Sequence, residues 1–505
     1  MPSTPERRLR RRDFAATLAG SPLAVRASGQ VPSAAPLDIG TRRELFIDDY
    51  LIDRFSGGAR LRLHAPERRN IALVHDAPWE GCGSGYHTVF QDGDAYRMYY
   101  KAWNHEYNPR TAHPLVIAYA ESRDGIQWTK PDLGLVEFSG SRHNNIVLNQ
   151  SHGGIAHDFS PFRDPNPAAP PSARYKAVGY GKPHGLYAFQ SADALHWELL
   201  QDAPILTDGA FDTQNIAFWD ARVGKYRVYI RVFVNGRRDV KTALSDDFRR
   251  WSAPESLTYS GGPEEQLYTN QVKPYYRAPH VYIGFPARYV DRGWSDAVRR
   301  LPELAEREQR AAASTRYGTA VTDSLLMSSR DGIRFRRWDE AFLRPGLRTR
   351  YNWSYGDNYI AWHVVETASE FDDAPRELSL YATESYFTEP ESRLRRYTLR
   401  LDGFGSVAAP LSGGELITHP FTFQGDRLLL NFSTSAGGSV RVELQDSAGK
   451  AIPGYALADC PVIFGDHLEY AAGWNGSAGP RALSGKPIRL RIELKDADIF
   501  AFRFA

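Results

Sequence analysis

Four acidic residues recur in a common register along this chain. Counting back 14 to 17 residues from Tyr96, Tyr175 and Tyr226, each at the head of an alternating stretch, and from the matching position at Pro279, reaches Glu80, Asp158, Asp212 and Glu265. Carboxyl groups gathered in one cleft do acid–base and nucleophilic chemistry. Hydrolysis of a glycosidic bond takes two of them across the scissile bond, one protonated and one ionised. Crowded carboxyls raise one another's pKa, so that one keeps its proton near neutrality. Nearby loops carry Trp79, His105, His184, Arg231, Tyr268, Asn270, Arg288 and Trp353, residue types that pack on sugar rings or bind hydroxyl, carboxylate or sulfate groups. Any one of these acids also suits a turn or a rim, and any one of these side chains a blade edge, so the common register carries the weight.

The elements that must position these residues repeat. An apolar strand ends in Ser-x-Asp, and an aromatic follows four residues after the Asp: Ser122 to Trp128, Ser191 to Trp197, Ser245 to Trp251 and Ser329 to Phe335. Asp bonds its own downstream backbone in such a turn and Gly accepts positive φ, so these residues are structural. A Tyr-rich strand precedes each copy ("DGDAYRMYYKAW", "SARYKAVGYG", "RVGKYRVYIRVF", "RAPHVYIGFPARY"), and a shorter apolar strand precedes that. Four antiparallel strands recurring every 54 to 84 residues are the pattern of propeller blades, and "NYIAWHVVET", "ELSLYATESYF" and "RLRRYTLRLDG" supply a fifth. After about Gly413 the pattern changes to plain alternation, as in Leu428, Leu430, Phe432 and Ile488, Leu490, Ile492, the signature of a β-sandwich. The expected fold is all-β: a five-bladed β-propeller over residues 37–412 followed by a C-terminal β-sandwich over residues 413–505.

In a propeller the residues ahead of each innermost strand converge at one mouth, and the loops between second and third strands return to it. Asp212 and Glu265 are expected as the central pair, with Asp158 or Glu80 as third member and Glu264 as the rival of Glu265. Asp164, in "FRDPNP", falls in register with Asp92 and Asp220 in first-to-second-strand turns, which favours a structural role at the opposite face. Asp48 and Asp49 sit in "FIDDYLI", whose apolar flanks suit a strand closing the ring. Between blade-four strands the period turns helical: Trp294, Val298 and Leu301, then Leu304, Ala305 and Glu308, with Pro302 suited to a first helical turn. This insertion is expected at the mouth, as a lid or a packed decoration.

Propeller plus sandwich resembles the architecture of glycoside hydrolase families 32 and 43. "ELFIDDYLID", "RYKAVG", "LDGFGSV" and "GGELITHPF" are similar to segments of exported bacterial proteins related to those hydrolases. The resemblance spans most of residues 44–505 and implies a carbohydrate substrate and O-glycosyl hydrolysis without a cofactor. The blade-one Asn-Asp-Pro-Asn motif of family 32 is absent. Two other functions compete: a non-catalytic carbohydrate-binding propeller, and a sialidase-like enzyme. The Ser-x-Asp turns suggest the latter, although their spacing differs from that family's and the sequence assigns neither an Arg trio nor a nucleophilic Tyr.

Composition narrows the rest. Over 505 residues, 42% hydrophobic and 24% charged is the balance of a globular chain, and 12% aromatic suits packed sheets and sugar clefts alike. A net charge of +2 with scattered basic residues favours neither nucleic acid nor a membrane surface, and no apolar run is long enough to span a bilayer. Cys82 and Cys460 have no metal-ligand spacing and nothing supports a disulfide between them; no metal is expected. Residues 1–36 open with "RRLRRRDFAATLAG", which resembles a twin-arginine export signal, so a periplasmic or extracellular location is expected.

Overall fold

Each Ser-x-Asp turn closes on the same hydrogen bonds. The Asp Oδ1 of Asp124, Asp193, Asp247 and Asp331 accepts from the two backbone N–H groups that lie two and three residues ahead, at 2.7–2.9 Å. The preceding serine hydroxyl accepts from the turn's own N–H groups. The turn leaves one residue with positive φ, and Gly332 there, at 80°, also lets Tyr229 approach: a Cβ would stand 2.9 Å from its hydroxyl.

These turns sit in a computed structural model that describes residues 35–104, 112–149, 157–477 and 479–505. The export segment expected at the N-terminus lies outside the described residues, apart from its last two. Blade one pairs Gly85–Asp92, Ala95–Ala102, Val116–Ser122 and Ile146–Leu148 in order. Blade two pairs His157–Arg163, Tyr175–Gly181, Gly185–Ser191 and Glu198–Leu199, and blade three Ile216–Asp220, Lys225–Val234, Arg237–Ser245 and Glu255–Ser256. Blade four runs Lys273–Tyr275, Ala278–Gly284, Met327–Ser329 and Arg334–Arg337, and carries a second small sheet of Gln266–Leu267, Ala287–Asp291 and Ala320–Ser324. Blade five runs Val365–Thr367, Glu377–Glu384 and Arg393–Leu399, and its outer strand is Glu67–Val74 from ahead of blade one.

Neighbouring blades are tied by repeated contacts. Tyr99 donates to the carbonyl of Ala194 in the next blade's Asp turn at 2.7 Å, and Tyr229 to that of Gly332 at 2.8 Å. Tyr381 of blade five does the same to Gly125 of blade one, which closes the ring. On the turns between first and second strands, Asp92, Asp164 and Asp220 each accept from the next blade's tyrosine: Tyr175 at 2.7 Å, Tyr226 at 2.7 Å and Tyr282 at 2.6 Å. Each of these acids also holds a cation of its own blade, Arg97, Lys176 or Arg227. Asp164 is thus a buried link between blades two and three.

The N-terminal boundary differs from expectation. Residues 37–63 belong with the C-terminal sheets: Leu37–Gly40 pairs with Phe421–Phe423, Glu44–Leu45 with Arg489–Phe504, Ile52–Gly57 with Gly414–Thr418, and Arg60–Leu63 with Gly405–Ala409. Ile39, Phe46, Leu51 and Ile52 fill one core with Leu428, Leu430, Val442 and Ile492. The ring-closing strand is Glu67–Val74, not "FIDDYLI". Asp48 ion-pairs with Arg330 at 2.9 Å and Asp49 is exposed. Cys82 and Cys460 are both buried. No helix among the described residues is long and apolar enough to cross a membrane.

Candidate active site

The innermost strands of blades one and two both begin with a bulge. Gly85 pairs with Lys101 and Thr88 with Tyr99, so Tyr86 and His87 together face one residue. In blade two His157 pairs with Tyr180 and Ser160 with Val178, so Asp158 and Phe159 do likewise. Tyr86 and Asp158 are therefore equivalent, and both hold left-handed backbones, at φ 54° and 55°. A bulge re-aims a side chain, and a strained non-glycine residue persists where its surroundings over-determine it, commonly at functional sites.

Asp158 is buried. Its Oδ2 lies 2.5 Å from His157 Nδ1; its Oδ1 lies 4.0 Å from Lys101 Nζ and accepts no hydrogen bond. Lys101 is itself buried; it donates to Tyr386 Oη at 2.8 Å and stands 4.6 Å over the Tyr86 ring. Burial lowers its pKa, against the charges of Asp158, Tyr268 and Asp212, which raise it. One ammonium thus feels two of the four expected acids. Asp212 has 55% of its side chain exposed and is ion-paired with the buried Arg231.

Arg231 in turn lies 4.8 Å over the Tyr268 ring, and Arg238 lies 5.2 Å from that ring and 4.3 Å from Tyr289. Tyr268 Oη accepts from Tyr355 Oη at 2.6 Å. Tyr86, Tyr359 and Tyr386 complete an aromatic floor, with Tyr359 stacked 5.5 Å from Tyr268. Burial pushes the phenols of Tyr86, Tyr355, Tyr359 and Tyr386 far up. It acts on Tyr268 too, but Arg231 and Arg316 outweigh it and bring that phenol below the ordinary tyrosine value.

Arg316 comes from the insertion. Its helices are Asp296–Arg299, capped by Ser295, then Leu304–Ala313 and Thr315–Thr319. Pro302 precedes the second helix rather than opening it, and Glu303 holds the cap position at φ 56°. Arg307 and Arg310 are buried: Arg307 donates to Trp353 O at 2.5 Å and Arg310 to Phe387 O at 2.6 Å. Two arginines bonding loop carbonyls, rather than an apolar stripe alone, seat the insertion on blade five, and Arg316 reaches Tyr355 Oη at 3.1 Å. Beneath the floor, Asp357 accepts from the backbone of Ser354 and Tyr386, and burial pushes its carboxyl up to about 8. Gly356 packs so closely that a Cβ would meet Tyr386 at 2.1 Å.

The other expected site residues lie elsewhere. Glu80 is buried inside blade one, bonded by Tyr100 Oη and Lys130 Nζ, each at 2.6 Å; burial raises its pKa. Glu265 pairs with Arg288 at 2.9 Å, on the sheet face opposite to Tyr268 and Tyr289, in a groove of about 700 Å³ that Asp323 and Trp353 also line. Its rival Glu264 is exposed and pairs with Arg237. Trp79 donates to Asn145 at 2.7 Å within blade one, and Asn270 is buried in its own loop. His184 is exposed and packs on Tyr180 and Phe211. His105 lies outside the described residues. Lys101, Tyr86, Tyr386, Arg238 and Arg316 were not anticipated. Lys101 carried only a weak signal, a charged residue in the Tyr-rich strand Ala95–Ala102, which Arg97 shares.

No family model matches this chain and no curated protein matches it. Among solved structures, it is similar to one described as a BT0996 complex with RGII, at 14% identity over 67% of this chain and 92% of that one, TM-score 0.43. A second comes from work describing the GH130 family of mannoside phosphorylases as containing glycoside hydrolases that target β-1,2 mannosidic linkages in Candida mannan (14% identity, 66% and 94%, TM-score 0.39). A third is the catalytic domain of a Coprinopsis cinerea GH62 α-L-arabinofuranosidase (9% identity, 66% and 97%, TM-score 0.40).

Proposed function

We propose that this chain hydrolyses a glycosidic bond at the propeller mouth, with Asp158 and Asp212 as its two carboxyl groups. Asp158 carries the proposal: a buried carboxyl on a strained bulge, aimed beside an ammonium, with one oxygen that accepts no hydrogen bond. Buried polar atoms are nearly always satisfied, so one left open in a cluster of charged groups is a mark of chemistry. Asp212, half in solvent and tethered by Arg231, stands toward incoming substrate and water. A sugar ring laid on Tyr86, Tyr268 and Tyr359 packs its apolar face on theirs. Export through the N-terminal arginine pair fits an enzyme that meets glycans outside the cytoplasm.

A panel of aryl glycosides and polysaccharides tests this, with Asp158→Asn and Asp212→Asn beside the unaltered protein. Each variant is expected to melt as a folded protein and to lose about 10²–10⁴-fold in turnover, the usual worth of a general acid or base. Glu265→Gln, on the other sheet face, is expected to keep turnover within about threefold. Near-normal turnover by both Asn variants, or no cleavage of any glycoside, overturns the proposal.

A further inference from the structure

We infer that the sugar bound at this mouth carries an anionic group, a carboxylate or a sulfate, and that Arg238 and Arg316 hold it. The inference rests on the glycosidase reading only for what then happens to the bound sugar.

Cations outnumber anions around Tyr268. Lys101, Arg231, Arg238 and Arg316 gather there; Asp158 stands at Lys101 and Asp212 at Arg231. Arg238 donates to the neutral Gln266 Oε1 at 2.6 Å and stacks on Tyr289, while Arg316 reaches the phenols of Tyr355, Tyr317 and Tyr268. Among the described residues neither has a carboxylate within ion-pair distance. Asp291, further out, is engaged by Thr319 Oγ1 and the Gly293 N–H. Several other arginines of the fold have a carboxylate, Arg227 with Asp220, Arg277 with Asp402, Arg330 with Glu44 and Asp48, or, like the buried Arg307, backbone carbonyls. The Nε atoms of Arg231 and Arg238 are buried and have no hydrogen-bond partner among the described residues. The depressed phenol of Tyr268 reports the same positive surplus.

A neutral sugar would leave two half-buried guanidiniums unpaired, whereas their planar forks match the two oxygens of a carboxylate. Uronic acid glycosides are the class that fits most directly, and sulfated sugars share the chemistry.

Calorimetric titration with glucuronate, galacturonate, glucose 6-sulfate, glucose and galactose tests this. Acidic sugars are expected to bind at least about tenfold more tightly than their neutral counterparts. Arg238→Gln and Arg316→Gln are each expected to remove about 10–100-fold of that affinity, as loss of a hydrogen bond to a charged group does, with neutral sugars unaffected. Melting curves confirm folding, and Arg238→Lys, keeping the charge, is expected to lose less. Tighter binding of the 6-sulfate than of the uronates identifies sulfate as the anion. Equal binding of neutral and acidic sugars, no binding of any acidic sugar at millimolar concentration, or full affinity in both Gln variants overturns the inference. Arginine-dependent binding without cleavage of any glycoside in the panel leaves the inference standing and sinks the glycosidase reading. Asp-dependent cleavage of neutral glycosides with no acidic preference does the reverse.

Discussion

At Tyr268 two opposed effects meet on one oxygen. Burial favours the neutral phenol, whereas Arg231, Arg316 and the hydrogen bond from Tyr355 favour the phenolate, and the second group wins. Tyr86 and Tyr386 have burial without that compensation, and at Tyr359 burial outweighs Arg316, Arg231 and Arg238. An ultraviolet difference titration is therefore expected to show one phenol ionising ahead of the rest, below the ordinary tyrosine value. Tyr268→Phe should delete that early step, and Arg316→Gln should move it to higher pH. If the early step survives Tyr268→Phe, the charge balance described for the mouth is wrong. At this scale the sequence was partly readable. Asp158 opens the innermost strand of blade two, which is a local fact; Asp212 lies in the loop ahead of Ile216–Asp220, where the strand pairing makes Gln214 the counterpart of Asp158. Arg316 lies 48 residues from Tyr268 and meets it only because two buried arginines seat a helical insertion on another blade. No spacing rule encodes that.

The repeated turns are where sequence and structure agree most closely, because Ser-x-Asp satisfies its own backbone and needs no distant partner. Asp164 was also readable, through its register with Asp92 and Asp220. It holds Lys176 and Tyr226 at the seam of blades two and three, and both carboxyl and ammonium are buried. Asp164→Ala strands that ammonium, which typically costs about 3–5 kcal/mol. Denaturant unfolding should show a loss of that order, with turnover of the folded fraction within about twofold. A large fall in turnover without a fall in stability would instead place Asp164 in the chemistry. Glu265 and Glu80 show what the repeat does not specify. In blade four Glu265 does not head the innermost strand, which begins at Lys273; it precedes the small second sheet, where it meets Arg288 instead of the mouth. In blade one the bulge makes Tyr86, six residues beyond Glu80, the true counterpart of Asp158.

Over the described molecule, an early segment meets the C-terminal sheets. Residues 37–63 join the C-terminal sheets across nearly the full sequence length, and pairings of that separation leave no local trace. That segment is fastened to blade four by Glu44, whose buried carboxyl accepts from Arg330 at 2.6 Å and lies 3.2 Å from His280. Burial alone would raise its pKa; the hydrogen bonds and charges of His280 and Arg330 prevail and bring it from 4.5 down to about 2. A carboxylate depressed in the folded state binds fewer protons than in the unfolded chain, so its contribution is full above the unfolded value and disappears as pH falls through the folded one. For Glu44 that window runs from about 4.5 to about 2, and the shift corresponds to about 3 kcal/mol. Glu44→Gln is expected to lower the melting temperature at neutral pH and to flatten the dependence of stability on pH across that window. Because the variant keeps the shape of the side chain, a flattened slope points to the charge and not to packing. An acid limb identical to that of the unaltered protein would show that Glu44 does not fasten this segment to blade four.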